Sequence, residues 1–322
     1  MKSGNFIISL DFELHWGVAD LWSVKDRKEY FDTTRKSIPL VLEIFKKNKI
    51  HATWATVGFL FAKNKEQILE FYPRNIPSYQ NEKLNYYNLI DNNEIGEDET
   101  NDPYHFAFSL INEIIKYPNQ ELATHTFSHY YCNENGQTVE QFDDDLKSAQ
   151  AIAKSNFNIE LKSLVFPRNQ FNKEYVTIAK QNGIKVVRSN PNVWFWKNTS
   201  KYMALARAFD MLIPISRSLT FCKPITKEGV LELPASRFLR PYSPKESLIK
   251  NIKLNRIKSE MTYAAKNGKC YHLWWHPHNF GYSLNDNLII LENILDHFNY
   301  LKTKYNFQSK NMIEIFDDAN QA

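Results

Sequence analysis

The sequence predicts an α/β protein in which a parallel sheet is covered by helices. The unit count suits a closed or nearly closed (β/α) barrel, with a doubly wound open sheet as the alternative. Three observations carry this expectation. Short apolar runs of strand type alternate with amphipathic helical runs through at least six units. A chain of 322 residues, 43% hydrophobic and 14% aromatic, can bury a substantial core. Polar residues able to do chemistry stand at the ends of the strand runs, where such folds keep their sites.

The order of elements follows from the changes in period. "NFIISLD" is a strand, "TTRKSIPLVLEIFKKNK" an amphipathic helix, and "IHATWATV" a second strand closing on Gly58. Residues 64–72 read as helix. From Pro73 to Pro103 the chain is rich in Asn, Tyr, Asp and Glu, with two prolines in "PRNIPSY". With the helix at 104–117, this forms a long insertion of about 73–118 after the second strand-helix unit. There follow the strand "QELAT", a helix over 138–155, the strand "LKSLVF", a helix near 172–182 and the strand "IKVVRS". Residues 190–240 read as irregular, or as a further strand around "VLELPAS". A helix over 244–266, the strand "CYHLWW" and a helix over 286–305 complete the order, and residues 1–322 read as a single domain.

Forty basic and 36 acidic residues leave a net charge of +4, and no basic stripe interleaves with aromatics, so nucleic acid is not an expected partner. No run approaches the roughly 20 apolar residues of a membrane span, so no integral membrane segment is expected. Asp11 and Glu13 interrupt "MKSGNFIISLDFELHW" before a secretory apolar region can form. Cys132, Cys222 and Cys270 are odd in number and widely spaced, which fits reduced thiols and a cytoplasmic location. No GxGxxG or GxxxxGK is present to cradle a dinucleotide or a phosphate.

Four stretches carry the candidate chemistry. "SLDFELHW" puts Asp11 and Glu13 on one face of a strand, and two carboxylates that close call for a neighbouring cation. "LATHTFSHYYC" places His125 and His129 four apart, one helical turn, so both imidazoles can face one point. Most such pairs are merely solvated or packed, but two histidines with one carboxylate and an open position make a catalytic zinc site. Cys132 reads as a buried inert thiol. "LVFPRNQF" delivers Arg168, able to hold a carboxylate ionised through a bidentate contact or simply to cap a helix. "YHLWWHPHNF" delivers His276 and His278 directly after a tryptophan pair.

Together these stretches resemble the polysaccharide deacetylase family, carbohydrate esterase family 4. "SLDFE" is similar to the first motif with Asp-x-Glu in place of adjacent aspartates, and "HTFSH" fits the His-Ser/Thr-x-x-His motif position by position. "FPRNQ" corresponds to the arginine motif without its usual Arg-x-Pro-Tyr ending, and His276 to the histidine of the last motif. The resemblance implies a deformed (β/α) barrel and a divalent metal, foremost zinc, on His125, His129 and one carboxylate. The Asp-x-Glu motif leaves open which of Asp11 and Glu13 is ligand and which is base, and Glu13 is taken as the ligand. Asp11 is then the base, oriented by Arg168, and His276 the acid, with His278 in reserve. A backbone N–H near Tyr130 would support the oxyanion. The implied reaction is removal of an N-acyl group from an amino sugar. The phrases "EIGEDETNDPYH" and "ASRFLRPYS" are similar to the branch serving bacterial surface-polysaccharide biosynthesis, so a nucleotide-linked or lipid-linked precursor is the expected partner. Arg237 and Arg240 are candidates for its charged group or for structural ion pairs. Trp274, Trp275 and the 194–196 segment are candidates for stacking on a sugar ring. Two other readings stay open: hydrolysis of a small cyclic amide or ureide on the same fold, and non-catalytic carbohydrate binding.

Overall fold

The computed structural model describes residues 3–191, 193–196, 203, 210, 218–224 and 229–321. Among the described residues nine strands make one sheet: β1 (Asn5–Phe12), β2 (Ala52–Thr56), β3 (Gln120–Thr124), β4 (Ser163–Leu164), β5 (Val186–Ser189), β6 (Leu231–Pro234), β7 (Arg237–Phe238), β8 (Cys270–Trp275) and β9 (Gln308–Lys310). Their order is β6-β5-β4-β3-β2-β1-β8-β7, with β9 on the first residues of β1. Each of these pairings is parallel. The two outermost strands, β6 and β7, are consecutive in the chain and separated only by Ala235 and Ser236. Ala235 N–H donates to Ser189 O and Ser236 N–H to His272 O, both at 2.8 Å. The sheet therefore curls into a deformed (β/α) barrel whose two sides meet along one continuous segment, which selects the barrel over the open doubly wound sheet.

Helices α1 (Lys28–Asn48), α2 (Lys65–Glu70), α3 (Tyr87–Asp91), α4 (Phe108–Ile114), α5 (Val139–Phe157), α6 (Lys173–Gln181), α7 (Lys250–Lys266), α8 (Leu284–Tyr305) and α9 (Met312–Gln321) accompany the sheet. The apolar stripe of α1 runs through Phe31, Ile38, Val41, Leu42 and Phe45, at the three- and four-residue spacing of one helix face. Lys49 ends it in the left-handed region at φ 53°. A capping box between Thr138 and Gln141 starts α5.

Strand alternation sets what the barrel interior contains. Along β1, Phe6, Ile8, Leu10 and Phe12 pack outward with α1 and α8 residues such as Phe45 and Phe298. Ile7 packs inward with Ala55, Ala123, Val165 and Val186. Ser9 and Asp11 continue that inward row, so the apolar filling becomes polar toward the C-terminal end of the strand.

The elements differ from expectation in three places. β4 covers only Ser163–Leu164 of "LKSLVF", because the chain reaches Pro167 and turns after Val165 N–H has bonded Thr124 O. β9 and α9 were not expected; the strand is three polar residues long and pairs only with the base of β1. His125 and His129 do not lie on a helix. They sit on a loop after β3 in which Thr126 (φ 66°) and His129 (φ 59°) are left-handed.

Candidate active site

Asp11 lies at the end of β1 and Glu13 just beyond it, His125 follows β3, and His276 follows β8, so all open at the C-terminal end of the barrel. The loop from His125 to His129 is held by its neighbours. Gly58 N–H donates to Thr126 O at 2.9 Å and Phe59 N–H to Phe127 O at 3.0 Å. A Cβ at Gly58 would lie 2.6 Å from Phe127 Cα, so only glycine admits this approach. Asp145, fully buried on α5, accepts from Phe127 N–H (2.6 Å), Ser128 N–H (3.1 Å) and the Ser128 hydroxyl (2.5 Å). Left-handed backbone at a β-branched threonine is strained. Thr126 Oγ1 anchors it by accepting the Tyr130 N–H at 2.6 Å.

The two imidazoles converge on one oxygen. His129 Nε2 lies 3.1 Å and His125 Nε2 3.3 Å from Glu13 Oε2, and all three side chains are buried. His125 Nδ1 bonds Val165 O at 2.7 Å, so its proton sits on Nδ1 and the Nε2 lone pair is free. His129 Nδ1 bonds the Tyr131 hydroxyl at 2.9 Å. A Cβ at Gly17 would meet the Glu13 carboxyl at 2.0 Å, so this glycine makes the room the carboxylate occupies. Ligands about 2.0–2.2 Å from a tetrahedral zinc lie roughly 3.3 Å apart. Glu13 Oε2 stands at that spacing from both imidazole nitrogens, the three donors lie within 4.8 Å of one another, and the residues present fit a divalent metal.

Asp11 has a different environment. Arg188 Nη1 donates to Asp11 Oδ1 at 2.6 Å and Nη2 to Oδ2 at 2.7 Å, with both side chains buried. Arg188 also donates to Ser9 Oγ and to Asn169 Oδ1, each at 3.1 Å, and lies 4.2 Å over the Trp274 ring. Burial pushes the Asp11 carboxyl up, but the Arg188 charge and hydrogen bonds outweigh it and hold the group below its ordinary value. Burial also raises Glu13, and the His276 charge with hydrogen bonds from His125 and His129 takes it well below. His129 is pushed down to about 4, by burial first, so its imidazole is neutral.

His276 Nε2 stands 3.7 Å from Asp11 Oδ2 and 3.8 Å from Glu13 Oε1, and His278 Nδ1 is 3.5 Å from Glu13 Oε1. Burial and the neighbouring His276 charge lower His278 to about 3. The structure thus brings together Asp11, Glu13, His125, His129, His276 and His278.

Four expected site residues lie elsewhere. Arg168 donates to Asp20 at 2.6 Å and covers the Tyr131 ring at 4.5 Å, so the arginine on Asp11 is Arg188. The reason is local: Arg168 and Asn169 are both left-handed (φ 52°), which sends the Arg168 side chain toward Asp20 and the Asn169 side chain toward Arg188. Tyr130 is buried in an aromatic cluster with Phe142, its hydroxyl on Gln137 and Thr138 O, and its N–H is taken by Thr126. Trp275 is fully buried between Phe45 and Phe280, because alternation turns it outward, whereas Trp274 faces Arg188 and His276. Arg240 pairs with Glu246 at 3.7 Å beside α7, and Arg237 is buried on Glu260 and Asp210. Trp194 is 58% exposed while Phe195 is buried. Cys132 is buried, and burial pushes its thiol well up.

Residues of the insertion surround this centre. The Tyr86 ring stacks on His129 at 6.1 Å, and its hydroxyl is 2.7 Å from that of Tyr131. The Tyr79 hydroxyl accepts the Tyr131 N–H at 2.8 Å. His105 links Asp102 to His15 through two contacts of 2.7 Å. A cavity of about 680 Å³ opens between residues 19–24 and 82–94, with Asp20, Tyr86 and His15 on its wall.

Fold and site define a (β/α) barrel with a candidate metal centre at its strand ends. Residues 30–187 match the family model for polysaccharide deacetylase. A protein from Mycobacterium smegmatis assigned to the polysaccharide deacetylases has the same fold, with a TM-score of 0.62 at 11% identity over 99% of this chain and 90% of that one. One from Pseudomonas aeruginosa PAO1 assigned likewise gives 0.60 at 8% identity over 97% and 89%. Puue allantoinase gives 0.59 at 9% identity over the same shares, 97% and 89%. No curated protein matches the sequence.

Proposed function

We propose that the chain is a metal-dependent amide hydrolase that removes an N-acyl group, foremost N-acetyl, from an amino-sugar precursor of a surface polysaccharide. The observation that carries this reading is the meeting of His125 Nε2 and His129 Nε2 on one oxygen of Glu13, beside an Asp11 kept ionised by Arg188. Glu13, His125 and His129 hold the divalent ion, zinc in this reading, which when bound acidifies water and polarises the acyl carbonyl.

The protein groups divide the remaining work. Asp11 accepts the proton of the attacking water as its oxygen bonds to the carbonyl carbon. Arg188 fixes the Asp11 carboxylate and keeps it ionised before attack. His276, 3.7 Å from Asp11, gives a proton to the nitrogen as the C–N bond breaks, so the amine leaves neutral and the acyl group as carboxylate. The contacts support Glu13 as the metal donor, because it touches both imidazoles, and Asp11 as the base, because it touches the guanidinium. The cavity beside Tyr86 is within the range of small-molecule sites, about 300–1,000 Å³. It is lined by residues next to the centre rather than by the centre itself, and its mixed wall, with Asp20, Asn85 and Tyr86, suits the polar groups and the apolar face of a sugar. A cytoplasmic enzyme would meet that sugar nucleotide-linked or lipid-linked.

Acetate release from nucleotide-linked and lipid-linked N-acetyl amino sugars, with and without chelator, tests the reading. Protein that binds no divalent ion after reconstitution with zinc would overturn it. The shared fold of Puue allantoinase favours one second reading, hydrolysis of a cyclic ureide, which ring opening without acetate release would establish. Sugar affinity with no turnover in added zinc would instead indicate a carbohydrate-binding protein.

A further inference from the structure

Glu13 has two carboxylate oxygens, and the proposed site uses one. Oε2 faces His125 and His129, whereas Oε1 faces His278 Nδ1 at 3.5 Å and His276 Nε2 at 3.8 Å. The three donors on this second side lie within 4.8 Å of one another. Donors on a tetrahedral zinc are roughly 3.3 Å apart, so small side-chain movements would close the set around an ion.

Two further observations make this side ready to bind. His278 is buried, and its Nδ1 finds no hydrogen-bond partner among the described residues, a state that buried polar groups rarely keep. His276 Nδ1 lies 3.3 Å from Asn279 Oδ1; in the neutral form with the proton on Nδ1, the Nε2 lone pair faces Glu13 Oε1. Pro277 separates the two histidines, whose rings lie parallel with centroids 4.9 Å apart, so sharing an ion requires them to tilt until both ring planes meet at it.

We infer that Glu13 Oε1, His276 Nε2 and His278 Nδ1 form a second divalent-cation site, and that its occupant inhibits the enzyme. The inference rests on the proposed first site at Glu13, His125 and His129. Ions on the two oxygens of one carboxylate stand about 3.5–4 Å apart. Their mutual repulsion makes the second binding the weaker one. The second ion takes the His276 lone pair, and that nitrogen can then no longer carry the proton to the departing amine. The first equivalent of metal activates and an excess inhibits.

The test titrates metal-free protein with Zn²⁺ and reads bound metal by equilibrium dialysis with elemental analysis, alongside acetate release. The wild-type chain binds two equivalents, the second about tenfold or more weakly because of the neighbouring charge. Its rate rises with the first equivalent and falls with the second. His278→Phe and His278→Ala, each checked for folding by circular dichroism, bind one equivalent. A single equivalent in the wild type, or two retained in both folded variants, overturns the second site while leaving the first intact. Two equivalents without loss of rate overturn its inhibitory role. No bound metal at all overturns the underlying reading instead.

Discussion

Replacing Arg188 by methionine removes both donors to Asp11 at once, at 2.6 and 2.7 Å, while keeping much of the side-chain volume. With charge centres about 4 Å apart and an effective dielectric near 20, the lost attraction is roughly 4 kcal/mol in favour of the ionised carboxylate. Burial then dominates at Asp11, because desolvation is the largest influence on it and is opposed chiefly by Arg188. The carboxyl moves upward, so less of it is ionised at a given pH. Loss of general-base action typically lowers rates by about 10²–10⁴-fold. In the pH profile of kcat/KM, Arg188→Met should push the acid limb to higher pH and cut the rate at pH 7 by at least 10²-fold. Arg188→Lys, which restores one charge without the fork, should recover part of the loss. Arg168→Met serves as the comparison, because its partner is Asp20 and its head is partly exposed. Its acid limb should stay in place. If Arg168→Met moves the limb and Arg188→Met does not, the assignment of the orienting arginine is wrong.

Three other outcomes follow from the packing. Trp275→Ala empties a fully buried site between Phe45 and Phe280, so urea unfolding should show a loss of about 3–5 kcal/mol. A normal urea midpoint with weaker sugar binding would mean that the residue serves a ligand. Burial pushes the Glu121 carboxyl up from 4.5 to about 7, and Thr53, Ser163 and Ile313 N–H donate to it. The folded state therefore holds this proton more tightly than the unfolded chain, and stability falls as pH rises from about 4.5 to about 7. Chemical denaturation across that window should give a flatter profile in Glu121→Gln. With a thiol reagent, exposed Cys222 should react in the native protein, and buried Cys132 and Cys270 only on unfolding.

Most of the barrel was legible because its strands are short apolar runs between amphipathic helices, and "QELAT" and "CYHLWW" coincide with β3 and β8. Asp11, Glu13, His125, His129, His276 and His278 were legible for a related reason: each stands at the end of a strand run or in the loop directly after it, and a parallel barrel gathers those ends. Arg188 was missed although it stands in "IKVVRS", a stretch read correctly as strand. The signal was available in the alternation, since Val186 faces the interior and the residue two positions on must do the same. Arg168 drew attention because it lies just past a strand. Two successive left-handed residues redirect it, and no local pattern in "PRNQ" announces them. The helix expected under "HTFSH" failed for a similar reason. Asp145 draws Phe127 and Ser128 N–H groups to α5 from 18 and 17 residues away, a tertiary contact that sequence periodicity does not record. The packing of Trp275 rather than Trp274 into the core was a choice of register between adjacent residues.

The segment Leu231–Phe238 has a consequence for how the barrel can tolerate change. Its first half is laddered to β5 and its second half to β8, with Ala235 and Ser236 as the only slack. A hairpin can absorb a one-residue insertion by slipping along one partner, but this segment answers to two partners on opposite sides of the ring. An insertion at residue 235 or 236 would shift β6 against β5 or β7 against β8, and so turn either the Arg188 side or the His276 side of the centre by one residue. Length in this short stretch is therefore as constrained as the identity of the side chains that do the chemistry.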